Sequence, residues 1–349
     1  MTKTPLLALY SLAHFWVDLS CALLAFRSLS ASPDFALCLL LYNFCAFALQ
    51  MPLGLLADRL DRNGAVAAAG CALVALAYAV PLPLAAAVTA GVGNALFHLG
   101  GGIDTLNTGL DRSAALGIFV SPGAVGLFLG TLWGRGDAAP LWAGPVGLLV
   151  LAGAILWLCR RTFGSLRSGN APVEAEPAGG SWLPLVPLFL VVVLRSYMGA
   201  NQAFAWKSQG QWALVLTLAL ALGKAGGGLL SDRLGPRRAA GGSLLLAAAL
   251  YLLSDLPLAG TAAVFLFNMT MPLTLWAAAR ALPGARGFSF GLLTFGLFVG
   301  CLPSFLGWLS LLTGPWAYAA AALLSLALLW RPMGKEAALC WRSWRDLWP

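Results

Sequence analysis

The sequence predicts an all-α polytopic membrane protein, with twelve transmembrane helices arranged as two pseudo-symmetric six-helix bundles. Three observations carry this expectation. The 349 residues are 60% hydrophobic and only 10% charged, with a mean hydropathy of +0.83, whereas a water-soluble domain is roughly a quarter charged. Twelve apolar runs approach the ~20 residues that cross a bilayer as a helix. A short charged phrase also occurs twice, and an internal repeat of this kind marks two similar halves.

The apolar runs fall at about 5–26, 34–57, 64–80, 83–107, 113–134, 139–160, 183–206, 210–231, 237–254, 257–280, 286–309 and 314–331. The first is read as a spanning helix and not a cleaved leader, because His14 and Asp18 interrupt it and no small-residue cleavage site follows. Most connections are short. The one long polar break holds Ser165, Ser168, Gly169, Pro172, Glu174, Glu176 and Pro177, a composition that favours a flexible linker. The expected division is an N-terminal bundle at 1–160, a linker at 161–182, a C-terminal bundle at 183–332 and a tail at 333–349. In the tail, Trp341, Trp344 and Trp348 share one helical face, which suggests an amphipathic helix lying on the membrane surface.

Basic residues set the orientation. With the N-terminus inside, sixteen of the 21 Lys and Arg residues fall on the cytoplasmic side. Arg27, Arg135 and Lys207 fall outside, and Arg195 and Lys224 lie within helices. Both termini are therefore expected in the cytoplasm, in a cytoplasmic (inner) membrane. This asymmetry accounts for the net charge of +8 without a nucleic-acid partner. The seven cysteines include no C-x-x-C pair and six lie in apolar runs, so neither a disulfide framework nor a zinc knuckle is indicated.

The repeated phrase is Gly54-Leu55-Leu56-Ala57-Asp58-Arg59-Leu60, which returns as Gly228-Leu229-Leu230-Ser231-Asp232-Arg233-Leu234. Each pair of positions is 174 apart. Gly and Asp four residues apart share a helix face. Glycine admits a close neighbour, and the aspartate can then face the positive end of another helix. Gly126, Gly130 and Gly134 in the fifth span and Gly287, Gly291, Gly296 and Gly300 in the eleventh suggest helices that pack closely across the two-fold.

The G-x-x-x-D-R phrase resembles the loop motif between the second and third helices of major facilitator transporters, which is stronger in the first half than in the second. The resemblance implies the major facilitator fold, alternating access, and a gating role for Gly54, Asp58, Arg59, Gly228, Asp232 and Arg233. It also implies that the first, fourth, seventh and tenth helices line a central cavity. This chain has Asp61 where the family usually has glycine; the second copy keeps Gly235. The run Ser121-Pro122-Gly123 with the glycines after it is similar to a degraded exporter motif, which implies efflux. Ala13-His14-Phe15-Trp16-Val17-Asp18-Leu19 and Gly91-Val92-Gly93-Asn94-Ala95-Leu96-Phe97-His98 resemble the first and fourth helices of fosmidomycin-resistance-type efflux proteins, except that Leu99 stands where that branch has proline.

Polar groups inside apolar spans are costly, about 2.5–3.5 kcal/mol for a charge on insertion scales, so they are expected to face a cavity. His14 and Asp18 are four apart, as are Asn94 and His98. Arg195 is followed by Asn201, and Asn268 is the 174-offset mate of Asn94. His14, Asp18, Asn94, His98, Arg195, Asn201 and Asn268 form the expected substrate and coupling set. His14 with Asp18 can carry a proton, and Arg195 can hold an anion with two prongs; a salt bridge from Arg195 to Asp18 across the halves is the structural alternative. Lys224 is expected to snorkel to the cytoplasmic face. The functional expectation is proton-coupled transport of a small organic anion by a monomer within lipid. The second reading is a zinc or iron transporter using His14, Asp18 and His98, with Asp104 as a further ligand. No P-loop and no nucleophile constellation is present, so neither an enzyme nor a cofactor is expected.

Overall fold

The structure is a computed structural model, which describes residues 4–108, 112–136, 140–164, 182–308 and 313–345, the side chains of Thr108 and of 334–345 excepted. Lipid offers the backbone no hydrogen-bond partners, so an apolar chain crosses it as helices that satisfy themselves. Twelve helical segments result. The first half holds α1 (Thr4–Arg27), α2 (Phe35–Leu60), α3 (Asn63–Ala77), α4 (Pro83–Thr108), α5 (Ala114–Gly136) and α6 (Ala143–Phe163). The second holds α7 (Leu185–Asn201), α8 (Trp212–Leu234), α9 (Pro236–Tyr251), α10 (Pro257–Ala281), α11 (Arg286–Phe305) and α12 (Pro315–Arg345).

The boundaries follow local chemistry. α2 passes through a π-helical turn at Phe44–Ala48 and a break at Leu49, three residues before Pro52. α10 breaks at Met269, three residues before Pro272. In both, the proline ring excludes the carbonyl four residues back, which loosens that turn. After the repeated phrase the chain must reverse, and both copies do so through a positive-φ residue at the same offset, left-handed Asp61 (φ 46°, ψ 38°) and Gly235 (φ 85°, ψ 150°). Aspartate is among the few side chains that tolerate the left-handed conformation, whereas the extended ψ of Gly235 at positive φ is essentially restricted to glycine, so the two copies reverse by different turns. Helix α6 runs three residues past the expected boundary, to Phe163, and closes at left-handed Gly164. The rest of the expected linker, 165–181, lies outside the described residues. Helix α12 continues through Pro332 to Arg345 without a break; the expected tryptophan face lies outside the described side chains.

Each half packs by the same scheme. α1 lies along α5 and α7 along α11; α3 packs on α4 and α6, and α9 on α10 and α12. Between the halves, α5 meets α8 and α2 meets α11. The glycine ladders therefore work differently from the expectation. Gly126 and Gly130 of α5 receive α1 of their own bundle, against the carbonyls of Phe15 and Leu19, and Gly300 receives α7 at Val193. The glycines nearer the other end, Gly117 and Gly291, make the crossings between halves. A Cβ on Gly126 would lie under 3.0 Å from the Phe15 backbone. Overpacking of this kind costs about 1–3 kcal/mol or more. Gly126→Leu is expected to lower the thermal midpoint of the detergent-solubilised protein and broaden its size-exclusion peak; an unchanged melting curve would show that α1 and α5 can separate freely.

Candidate functional site

One end of the bundle is closed by two matching contacts. The Asp58 carboxylate, 3% exposed, accepts from the backbone N–H of Gly287 (2.7 Å) and of Phe288 (3.0 Å), the first turn of α11. Asp232 accepts from the N–H of Ser113 (2.7 Å) and of Ala114 (3.2 Å), and from the Ser113 hydroxyl (3.0 Å), where α5 begins. Ser113 and Gly287 are themselves 174 apart, as are Ala114 and Phe288. The first turn of a helix has N–H groups without intrahelical partners and carries partial positive charge, so each carboxylate completes a helix of the other half.

The glycines make the approach possible. Cβ atoms on Gly54 and Gly228 would lie under 3.0 Å from the carbonyls of Gly287 and Ser113. One turn inward, Gly291 and Gly117 pack equally tightly on the carbonyls of Gln50 and Lys224, another 174-offset pair. Arg59 and Arg233 are exposed beside the carboxylates and take no part in these contacts.

Above this closure lies a cavity of about 480 Å³. Its lining runs from Gln50, Lys224 and Phe290 near the latch to Thr131, Gly199 and Thr217 toward the other end, and includes His14, Asp18, His98, Arg195 and Asn268. The remaining walls are mostly apolar, among them Phe47, Val120, Phe128, Leu220, Met271, Leu275 and Leu297.

On the N-terminal wall, His14, Asp18 and His98 meet. His14 Nε2 is 3.2 Å from Asp18 Oδ2 and 2.9 Å from His98 Nε2, and His98 Nε2 is 3.9 Å from Asp18 Oδ1. The far side of each ring is held: His14 Nδ1 donates to the Phe119 carbonyl at 2.8 Å and His98 Nδ1 to the Asn94 carbonyl at 2.9 Å. A carbonyl can only accept, so each Nδ1 carries a proton and each Nε2 faces inward; the 2.9 Å contact between the two Nε2 atoms is a hydrogen bond when one of them carries a proton as well. Asn94 stands behind the cluster, donating from its side chain to Asp18 Oδ1 at 3.2 Å, and does not line the cavity.

On the opposite wall are two cations. Arg195, 7% exposed, points its two terminal nitrogens at the hydroxyls of Thr270 (3.3 Å) and Thr274 (3.4 Å), both on the broken helix α10. Lys224 Nζ donates to the Val120 carbonyl at 3.4 Å. Among the described residues neither has a carboxylate within 4.0 Å, so the Arg195–Asp18 bridge read as an alternative is not formed. Lys224 faces the cavity and not the membrane surface, because α8 turns that side toward α5. Its 174-offset pairing with Gln50 was the signal available in the sequence. Asn201 also departs from expectation: it bonds the Tyr197 carbonyl and accepts from Ser304 Oγ at 3.2 Å, tying α7 to α11 outside the cavity. Asp104 is turned away, engaged by Tyr10 (2.7 Å) and Asn63 (3.0 Å). Asn268 bonds the Val264 carbonyl at 2.8 Å and keeps its place on the wall.

Solved structures share this architecture. The human organic anion transporter MFSD10 (TETRAN) is 17% identical, with 94% of this chain and 100% of that chain covered at a TM-score of 0.65. A bacterial homologue of the iron transporter ferroportin, in its outward-facing state, is 16% identical, covering 98% and 99% at 0.63. A variant of the Escherichia coli fucose:proton symporter FucP is 14% identical, covering 95% and 98% at 0.60, and FucP has also been solved as a major facilitator superfamily transporter in the outward conformation. No protein-family model matches the chain, and no curated protein matches it by sequence. The fold is the major facilitator fold, in a multi-pass membrane protein.

Hydrogen bonds to a charged group contribute about 1.5–3 kcal/mol each, and removing a carboxylate also strands its N–H partners. Replacing Asp58 and Asp232 together with Asn is expected to loosen the closed end. Spin labels at exposed Leu60 and Leu234 would read this as a longer, broader distance distribution; an unaltered distribution would remove the carboxylates from the closure.

Proposed function

We propose that the chain is a secondary active transporter that moves a small organic anion across the cytoplasmic membrane by alternating access, coupled to protons. The observation that carries this reading is the pair of cations, Arg195 and Lys224, lining a dead-ended apolar cavity without a carboxylate partner. A desolvated cation is expensive unless something neutralises it, and a substrate anion does so. Arginine offers a planar fork to a carboxylate or phosphonate, and lysine a point charge. The apolar walls suit an organic body attached to that anionic head.

Coupling is assigned to the opposite wall. The two Nε2 atoms stand 2.9 Å apart, a contact that is a hydrogen bond when a proton lies between them and repulsive when none does. Asp18 beside them balances the added charge. The cytoplasmic side is assigned to the latch end, which carries the basic loops of the sequence, so the closed latch corresponds to an outward-facing state with both termini inside. Efflux is the direction we assign, from the likeness of the Ser121-Pro122-Gly123 run to the exporter motif. A monomer suffices, since the cavity is built within one chain. Cargo zinc or iron is disfavoured: the further ligand expected, Asp104, is engaged elsewhere by Tyr10 and Asn63.

The test is flux in proteoliposomes with a panel of radiolabelled aryl and medium-chain carboxylates. A pH gradient is expected to drive accumulation in the parent. Arg195→Ala is expected to raise KM at least tenfold, since stranding one member of a buried charge pair costs about 2–5 kcal/mol. Asp18→Asn is expected to abolish accumulation driven by pH while leaving binding measurable by thermal shift. Equal transport by the parent and Arg195→Ala would overturn the assignment of the anion site.

A further inference from the structure

The cluster on the N-terminal wall also has the geometry of a metal site. We propose that His14, His98 and Asp18 form a three-ligand site for a divalent transition metal of the zinc class, held by the first six helices alone. The site is argued from coordination geometry and does not rest on the anion-transport reading.

Four features of the structure support it. The first is spacing. Tetrahedral zinc with ligands at about 2.0–2.2 Å sets neighbouring ligand atoms about 3.3 Å apart. Here the two Nε2 atoms are 2.9 Å apart, His14 Nε2 is 3.2 Å from Asp18 Oδ2 and His98 Nε2 is 3.9 Å from the other carboxylate oxygen, Oδ1. These separations lie on either side of that value, and one ligand atom from each residue falls within 4.8 Å of the other two, so small side-chain rotations admit an ion. The second is protonation. A histidine ligand needs a bare nitrogen directed at the metal, with its other N–H held by an acceptor. Both rings hold Nδ1 on a carbonyl, that of Phe119 or Asn94, and so turn Nε2 toward the site. The third is the carboxylate, oriented from behind by the Asn94 amide, the kind of outer contact that typically tunes affinity by about 10–100-fold.

The fourth is the cover. Gly123 of α5 lies over the cluster, and a Cβ built there would fall under 3.0 Å from both His14 Nε2 and Asp18 Oδ2. The cluster has room only because residue 123 has no side chain. The cavity side remains open for a water or a substrate carboxylate as fourth ligand, as in zinc sites with three protein ligands. Binding expels any proton shared by the imidazoles, and it fixes α1 to α4 at the wall assigned to coupling.

The test uses tag-free full-length protein in nanodiscs at pH 7.5, with zinc chloride competing against a chromophoric chelator. One ion per chain is expected, with X-ray absorption showing two imidazole nitrogens at about 2.0–2.1 Å. His98→Gln is expected to weaken binding at least tenfold. Gly123→Ala keeps all three ligands and is expected to lose binding by crowding alone; thermal melts establish that each variant is folded, and His14→Gln replaces any that is not. Zinc binding of the parent that is unchanged in His98→Gln and His14→Gln, or an absorption spectrum without imidazole, would overturn the site. Because no flux enters the binding assay, a failure of anion transport leaves this result standing, and the reverse is equally true.

Discussion

The structure depends on two carboxylates that each complete a helix of the opposite half. Asp58 supplies acceptors to the first turn of α11, and Asp232 to the first turn of α5. Neither contact could form if the backbones stood apart, so each comes with a glycine four residues earlier where the helices cross. Hydrogen bonding and close packing therefore act on the same four helices. Such bonds are worth a few kcal/mol together, enough to favour one arrangement and small enough for a bound ligand to oppose. A stronger lock would hold the bundles permanently, and a purely apolar one would leave buried N–H groups without partners.

With that end closed, charge inside the molecule is sorted by half. The imidazoles and the Asp18 carboxylate belong to α1 and α4; the guanidinium and the ammonium belong to α7 and α8. Position along each helix follows from what holds the side chain. Arg195 rests on two buried threonines that follow the break of α10 at Met269. His14 and Lys224 use adjacent carbonyls, those of Phe119 and Val120, in the turn of α5 preceding Pro122. One turn of α5 thus presents backbone acceptors to both walls, linking the cluster on one side to a cation on the other through adjacent carbonyls.

Much of the fold was legible in the chain. Span positions followed from apolar run length, because lipid leaves the backbone no other option. The pairing of halves followed from the 174-residue offset, and the structure shows that offset at latch donors as well as acceptors. His14 with Asp18, and Asn94 with His98, were found from four-residue spacing on one face.

What the sequence by itself determined was therefore periodic or local: twelve helices, their doubled arrangement, and which polar groups share a helix face. The tertiary structure alone decided which faces meet. It brought His98 onto His14, set Asn94 behind Asp18, turned Lys224 into the cavity, and left Asn201 and Asp104 bound elsewhere. The reason is rotational. An apolar helix carries no strong stripe to fix its orientation in lipid, so the angle about its axis is set by neighbours, here by glycine crossings whose partners lie about a hundred residues away or more.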